Sequence, residues 1–88
     1  MTPRQDCESQ IREFLSRDIL FSDEFPYDDD VSLLEQGIVD SMGVVQVVTF
    51  VQSAFGIKVD PHEITKDNFD SVNRLARYVR GKTAQENQ

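Results

Sequence analysis

Asp40 to Gly56 reads DSMGVVQVVTFVQSAFG, and whether it is a strand or a helix decides the fold. Its valines, Thr49 and Phe50 are the residues a pleated sheet favours, so composition alone suggests a strand. Spacing reverses that reading. Gln46, Thr49 and Ser53 lie three and four apart and share one polar stripe, while Val44, Val47, Val48, Val51 and Phe55 share the opposite face. The stretch is also longer than an ordinary strand. It predicts a helix from Ser41 to Phe55, free of charged residues and ended by Gly56.

The front of this helix carries one polar residue too many. Asp40 and Ser41 are both favoured N-caps, and either can satisfy an orphan backbone donor. Gly37 and Gly43 flank the pair. A hydroxyl at a helix N-terminus is also a suitable place to carry a phosphate ester, since the helix end stabilises an anion by roughly 0.3–1 kcal/mol. On local chemistry alone the cap is the better reading. Gly43 is unusual too, because glycine inside a helix costs roughly 0.5–1 kcal/mol relative to alanine. It is either a tolerated first-turn residue or clearance for an attached group or a close partner.

Upstream, a first helix is expected from about Arg4 to Arg17 or slightly beyond, with Pro3 near a first-turn position. Cys7, Ile11, Phe14 and Leu15 form its apolar stripe, extended by Ile19. From Asp18 to Asp40 runs a long connection with eight acids (Asp18, Asp23, Glu24, Asp28, Asp29, Asp30, Glu35, Asp40) and no Lys or Arg. It carries −8 where the whole chain carries −7. Loops this long are either functional or pinned by their own side chains, here Phe25, Tyr27, Leu33, Leu34 and Ile38.

Downstream, VDPHEI predicts a short helical turn with Asp60 as N-cap, Pro61 at the first position and Glu63 completing a capping-box pattern. TKDNFD reads as a turn-rich connection with Phe69 as its buried anchor. A last helix is expected from Asp70 or Ser71 to Arg80, with Val72, Leu75, Ala76 and Val79 inward and Gly81 as its stop. Arg74, Arg77 and Arg80 then sit late, where the helix dipole favours cations. The expected architecture is all-α: a small bundle of three main helices plus one short helix, with a long first loop. One domain is expected over residues 1–88, with a core of about 4–81 and a flexible tail from 82 to 88.

The totals narrow the function. The chain has 88 residues, 39% of them hydrophobic, and a net charge of −7. That charge argues against nucleic acid and against anionic membranes, both of which need clustered Lys and Arg. No apolar run reaches the roughly 20 residues that span a bilayer. Cys7 is the only cysteine, so no internal disulfide forms; a small apolar role and a reducing, cytoplasmic compartment follow. Catalytic chemistry is hard to assemble. His62 is the lone histidine, and no spacing rule joins it to Asp40 and Ser41 as a triad. A calcium loop started at Asp28 puts Leu33 where glycine is required and Val39 where a bidentate Glu is required, so no metal site is expected.

LLEQGIVDSMG, followed by a largely apolar helix, FGIKV and NFDSV, resembles the acyl carrier protein family of phosphopantetheine-binding carrier domains. The resemblance covers nearly the whole chain. It implies that Ser41 receives 4′-phosphopantetheine and that Asp40, Gly37 and Met42 complete the attachment motif. Met42 stands where the family usually has leucine. It also implies a non-catalytic, monomeric, free-standing carrier that holds acyl intermediates as thioesters. Its partners would be a phosphopantetheinyl transferase and acyl-activating ligase, ketosynthase or transferase enzymes. Fatty acid carriers usually bear several acids on the second helix, where this chain has Gly43, Gln46, Gln52 and Ser53. Docking is therefore expected to use Met42, Val45, Gln46 and Thr49, with loop acids steering. A specialised or secondary-metabolite acyl pathway is the expectation. The alternatives are an aminoacyl carrier of the peptidyl or D-alanyl type, an unmodified interaction module, and a small hydrolase using Ser41.

Overall fold

The computed structural model describes residues 6–86, whose regular elements are all helices, with no strand among them. Helix α1, Cys7–Phe14, has Asp6 as its N-cap, where a start at about Arg4 was expected. Asp6 has extended backbone, and its carboxylate accepts a hydrogen bond from Ser9 N at 2.8 Å. An N-cap in extended conformation ends the helix on its upstream side, which corrects the expected start. Arg4 and Pro3 lie outside the described residues. The helix continues as one π-helical segment, Leu15–Ile19, closed by Leu20 N donating to Leu15 O at 2.9 Å. Ile11 and Leu15 are fully buried. Burial pushes the Cys7 thiol upward, so at neutral pH it stays a thiol and packs as a small apolar group, as its place in the stripe suggested.

Helix α2, Ser41–Phe55, has the expected bounds and is closed by Gly56 at φ 66. Val47 and Val51 are buried, Val44, Val48 and Phe55 pack partly against the core, and Gln46, Thr49 and Ser53 face solvent. The helical reading of the valine run therefore holds, because only a 3.6-residue period puts these sets on opposite sides. No helix among the described residues is long and apolar enough to cross a membrane.

After Gly56 the chain buries Ile57 and Val59, and the Gln52 side chain accepts from Val59 N at 2.9 Å. Gln52 thus ties α2 to the next segment and is no docking position. Pro61–Glu63 form a 3₁₀ turn with Asp60 at its cap, where Glu63 accepts from Asp60 N at 3.1 Å. TKDNFD contains a one-turn helix that its composition hid, α3, Lys66–Phe69. Phe69 is buried as expected and packs against Tyr78, ring centroids 5.3 Å apart.

Helix α4, Val72–Glu86, is the element on which the others pack, with Val72, Leu75 and Ala76 fully buried. The expected stop at Gly81 is not there. Gly81 stays in helical conformation in open space, and the chain beyond it is held: Lys82 Nζ lies 3.1 Å from Glu63 and Thr83 Oγ1 donates to Arg80 O at 3.1 Å. Helix α4 runs on through residues 82–86, where a flexible tail was expected; residues 87–88 lie outside the described part. The arginines consequently sit mid-helix and act as clamps rather than as dipole cations. Arg80 grips Glu8 of α1 through both nitrogens, at 2.8 and 2.6 Å, and Arg77 donates to Asp67 O at 3.1 Å.

Glu63 ties its 3₁₀ turn to α4 and makes stability pH-dependent. Its carboxylate accepts from Tyr78 OH at 2.8 Å, and this bond, the Asp60 N–H and Lys82 hold its pKa down to about 2. A depressed folded-state pKa stabilises the fold above the unfolded value and loses that contribution as pH falls toward the folded one. The contribution is complete above the ordinary value of 4.5 and is lost between there and about 2. Thermal melts of Glu63→Gln should therefore show a shallower acid limb in that window than the parent. Parallel limbs would exclude this carboxylate as the cause.

The long acidic connection is pinned. Leu33 and Ile38 are buried, and Phe25 and Tyr27 pack partly against the core, as expected. Leu34 is the exception at 41% exposed, because Leu33 takes the inward position at the turn. Polar anchors do the rest. Arg12 binds Asp29, Asn73 Nδ2 donates to Asp30 at 2.6 Å, and the buried Asp70 accepts from Ser32 Oγ at 2.7 Å and from Leu34 N at 3.1 Å.

Candidate functional site

Four backbone bonds aim the chain at the start of α2. Leu33 N donates to Asp70 O at 2.8 Å, and Leu33 O in turn accepts from Ile38 N at 2.9 Å and Val39 N at 3.2 Å. Gly37 N closes a turn on Leu34 O at 3.1 Å, and Gly37 sits at φ 71, a left-handed conformation that a Cβ disfavours. Ile38 and Val39 then bury their side chains, which delivers Asp40 and Ser41 to the surface.

The surplus of polar groups resolves here. Asp40, in extended conformation, is the cap: its carboxylate accepts from Gly43 N at 2.8 Å. Ser41 is the first helical residue, exposed, with no hydrogen bond from its hydroxyl among the described residues. The N–H groups of this first turn that the cap does not take have no intrahelical acceptor, so the hydroxyl stands at a positive helix end. Gly43 is buried under Val39. A Cβ there would meet Val39 Cγ1 at 3.1 Å. The clearance it provides is for the chain's own valine, and of the two readings of Gly43 neither covers this.

Met42 is 76% and Val45 62% exposed, one turn apart beside Ser41, and Gln46 and Thr49 continue the same open face. Along this face two grooves run side by side. One, of about 520 Å³, is lined by Ile19, Ile38, Met42, Val45 and Gln46; the other, of about 580 Å³, by Phe14, Thr49, Phe50 and Ser53. Phe21 borders both and is 85% exposed at φ 54. Sequence reasoning passed over Phe21, which falls off the α1 stripe. On the other side of α2 a smaller cavity of about 150 Å³ lies among Leu33, Val39, Val44, Ile64 and Phe69. His62 stands with Asp60 and Glu63, their ligand atoms within 4.8 Å of one another, but Glu63 is already committed to Tyr78 and Lys82.

A small helical bundle presenting an uncommitted serine at the start of its second long helix is the form of a carrier that bears a covalent arm. The chain belongs to the phosphopantetheine-binding carrier family: the family model described as "Phosphopantetheine attachment site" matches residues 9–79. The family's covalent group is 4′-phosphopantetheine, and the residues present fit it, with an exposed hydroxyl, a capped helix end and open grooves alongside. Among relatives, the D-alanyl carrier protein of Lactococcus lactis subsp. cremoris strain MG1363 is 36% identical over 62 residues, covering 70% of this chain and 78% of that protein. The D-alanyl carrier protein of Abiotrophia defectiva is 31% identical over 78 residues, 88% of this chain and 96% of that protein. That of Streptococcus thermophilus strain CNRZ 1066 is 29% identical over 74 residues, 84% of this chain and 91% of that protein.

Proposed function

We propose that this protein is an aminoacyl carrier whose arm is attached to Ser41, loaded with an amino acid such as D-alanine and working in the cytoplasm. The observation that carries the attachment point is the division of labour at the start of α2, where Asp40 caps the helix and leaves the Ser41 hydroxyl exposed. When attached, the arm supplies a terminal thiol that carries the cargo as a thioester. The chain's own residues hold and present. Asp40 fixes the helix start, Gly37 and the buried Ile38–Val39 pair set its direction, and the bundle is the rigid body to which the arm is tethered. Tethering raises the effective concentration of cargo at each partner. No bond chemistry is assigned to the carrier itself.

Two observations favour an aminoacyl cargo over the specialised acyl pathway expected from the missing acids of α2. The relatives above are D-alanyl carrier proteins by name, one of them matched over 96% of its length. The cavity behind α2 is about 150 Å³, below the roughly 300–1,000 Å³ of ordinary ligand pockets, the two larger grooves lie more open to solvent, and Val47 and Val51 are spent on the core. The partners are then a phosphopantetheinyl transferase, an ATP-dependent ligase that activates the amino acid, and an enzyme that takes it on. Met42, Val45, Gln46 and Thr49 are the docking residues, with the acidic loop steering basic partners. The test is the intact mass of the native protein purified from its source. A mass fitting arm plus one amino acid, with the amino acid released as its hydroxamate by hydroxylamine, is the expected result; a fatty acyl or polyketide residue overturns the cargo assignment.

A further inference from the structure

Phe21 combines two unfavourable features at one position. It follows the π-helical end of α1, where Ser22 N donates to Ser16 O at 2.7 Å, a helix-closing turn one residue wider than the Schellman pattern. Such a turn needs its capping residue in the left-handed region, where glycine is the usual choice, and Phe21 holds φ 54. Its ring gains little from folding in return, since it is 85% exposed, the most exposed of the large apolar residues among those described. A strained, solvated aromatic opposes stability twice, and strain of this kind clusters at functional sites.

Its surroundings say what it is for. Phe21 borders the groove that Met42 and Val45 line beside Ser41, and also the next groove along α2, so the three exposed apolar side chains share one surface. Asp18 lines both grooves and Asp40 lines the first, and Asp23 and Glu24 follow Phe21 in the chain, all four exposed and with no ion pair among the described residues. An apolar centre with an acidic rim fits a protein surface of the opposite design, an apolar pocket ringed by Lys or Arg. Among enzymes that serve a carrier, one must bring its active site to the serine hydroxyl itself; the others meet the far end of the arm. We infer that Phe21, together with Met42 and Val45, docks the phosphopantetheinyl transferase, and that Phe21 is a positioning residue retained against stability. This rests on the assignment of Ser41 as the attachment point.

Phe21→Gly and Phe21→Leu separate docking from folding. With the full chain, coenzyme A and a promiscuous phosphopantetheinyl transferase, kcat/KM for arm attachment to Phe21→Gly should fall about tenfold, mainly through KM, as for one buried apolar anchor. Its Tm should rise by about 2–6 °C as the strain is relieved. Phe21→Leu should recover most of kcat/KM without the gain in Tm. Loss of kcat/KM together with a fall in Tm would make Phe21 a folding residue, and kcat/KM within twofold of the parent would remove it from the docking surface; either overturns the inference. A parent chain that accepts no arm overturns the Ser41 assignment and this inference with it, whereas a parent modified at Ser41 beside an unaffected Phe21→Gly overturns this inference alone.

Discussion

The Ser41→Ala chain stays at its unmodified mass after incubation with coenzyme A and a promiscuous phosphopantetheinyl transferase, while the parent gains one arm. The loss is complete because no other hydroxyl among the described residues combines exposure with the first position of a long helix. The fold should hardly register the change. Ser41 is exposed, and the capping bond belongs to Asp40, 2.8 Å from Gly43 N, so stability should change by no more than the roughly 0.5 kcal/mol typical of surface substitutions. Asp40→Ala shows the converse pattern. It removes the cap at a cost of about 1 kcal/mol and leaves the hydroxyl in place, so attachment slows but persists. Mass spectrometry and a thermal melt on both variants read the two roles separately. An arm on the Ser41→Ala chain would falsify the attachment point.

Leu33→Ala should be the most destabilising single change in the loop. Leu33 is 1% exposed in the core although it belongs to no helix, and its two backbone groups bind Asp70, Ile38 and Val39. Truncating a buried leucine costs about 2–5 kcal/mol, which for a domain of this size lowers Tm by roughly 10–25 °C. Neighbouring Leu34, 41% exposed, is the control: Leu34→Ala should shift Tm by only a few degrees. Because the same residue aims Gly37–Asp40 at the start of α2, Leu33→Ala should also slow arm attachment at temperatures where it remains folded. Melts followed by far-UV circular dichroism decide the matter. Similar losses for Leu33 and Leu34 would mean that the connection is not anchored at this point.

The contrast between these leucines marks where sequence reading stops. Both look alike in LLEQG, and two adjacent apolar residues in a loop have no period to say which points inward. Asp70 and the Leu33 backbone make that choice across the fold. The bounds of α2 were legible because its polar and apolar sets obey one period and Gly56 ends it. The Gly81 stop misled because glycine ends a helix only when the turn takes positive φ. Contacts between Lys82 and Glu63 keep α4 going instead. One-turn α3 was hidden in TKDNFD because four residues are too few to show a period. Phe21 escaped for another reason: strain and exposure are properties of conformation, and no local pattern reports them.

By itself the sequence determined that the chain is helical, that one serine stands at the front of an uncharged helix, and that its order of motifs is that of a phosphopantetheine carrier. These follow from period, spacing and residue type, which are local and additive along the chain. Only the tertiary structure decided which of Asp40 and Ser41 is the cap. Both can accept the same N–H, and the choice depends on the direction from which the chain enters the helix. That direction is set by Leu33, Gly37 and the burial of Ile38 and Val39. Because the aspartate takes the helix donor, the Ser41 hydroxyl is left exposed and uncommitted.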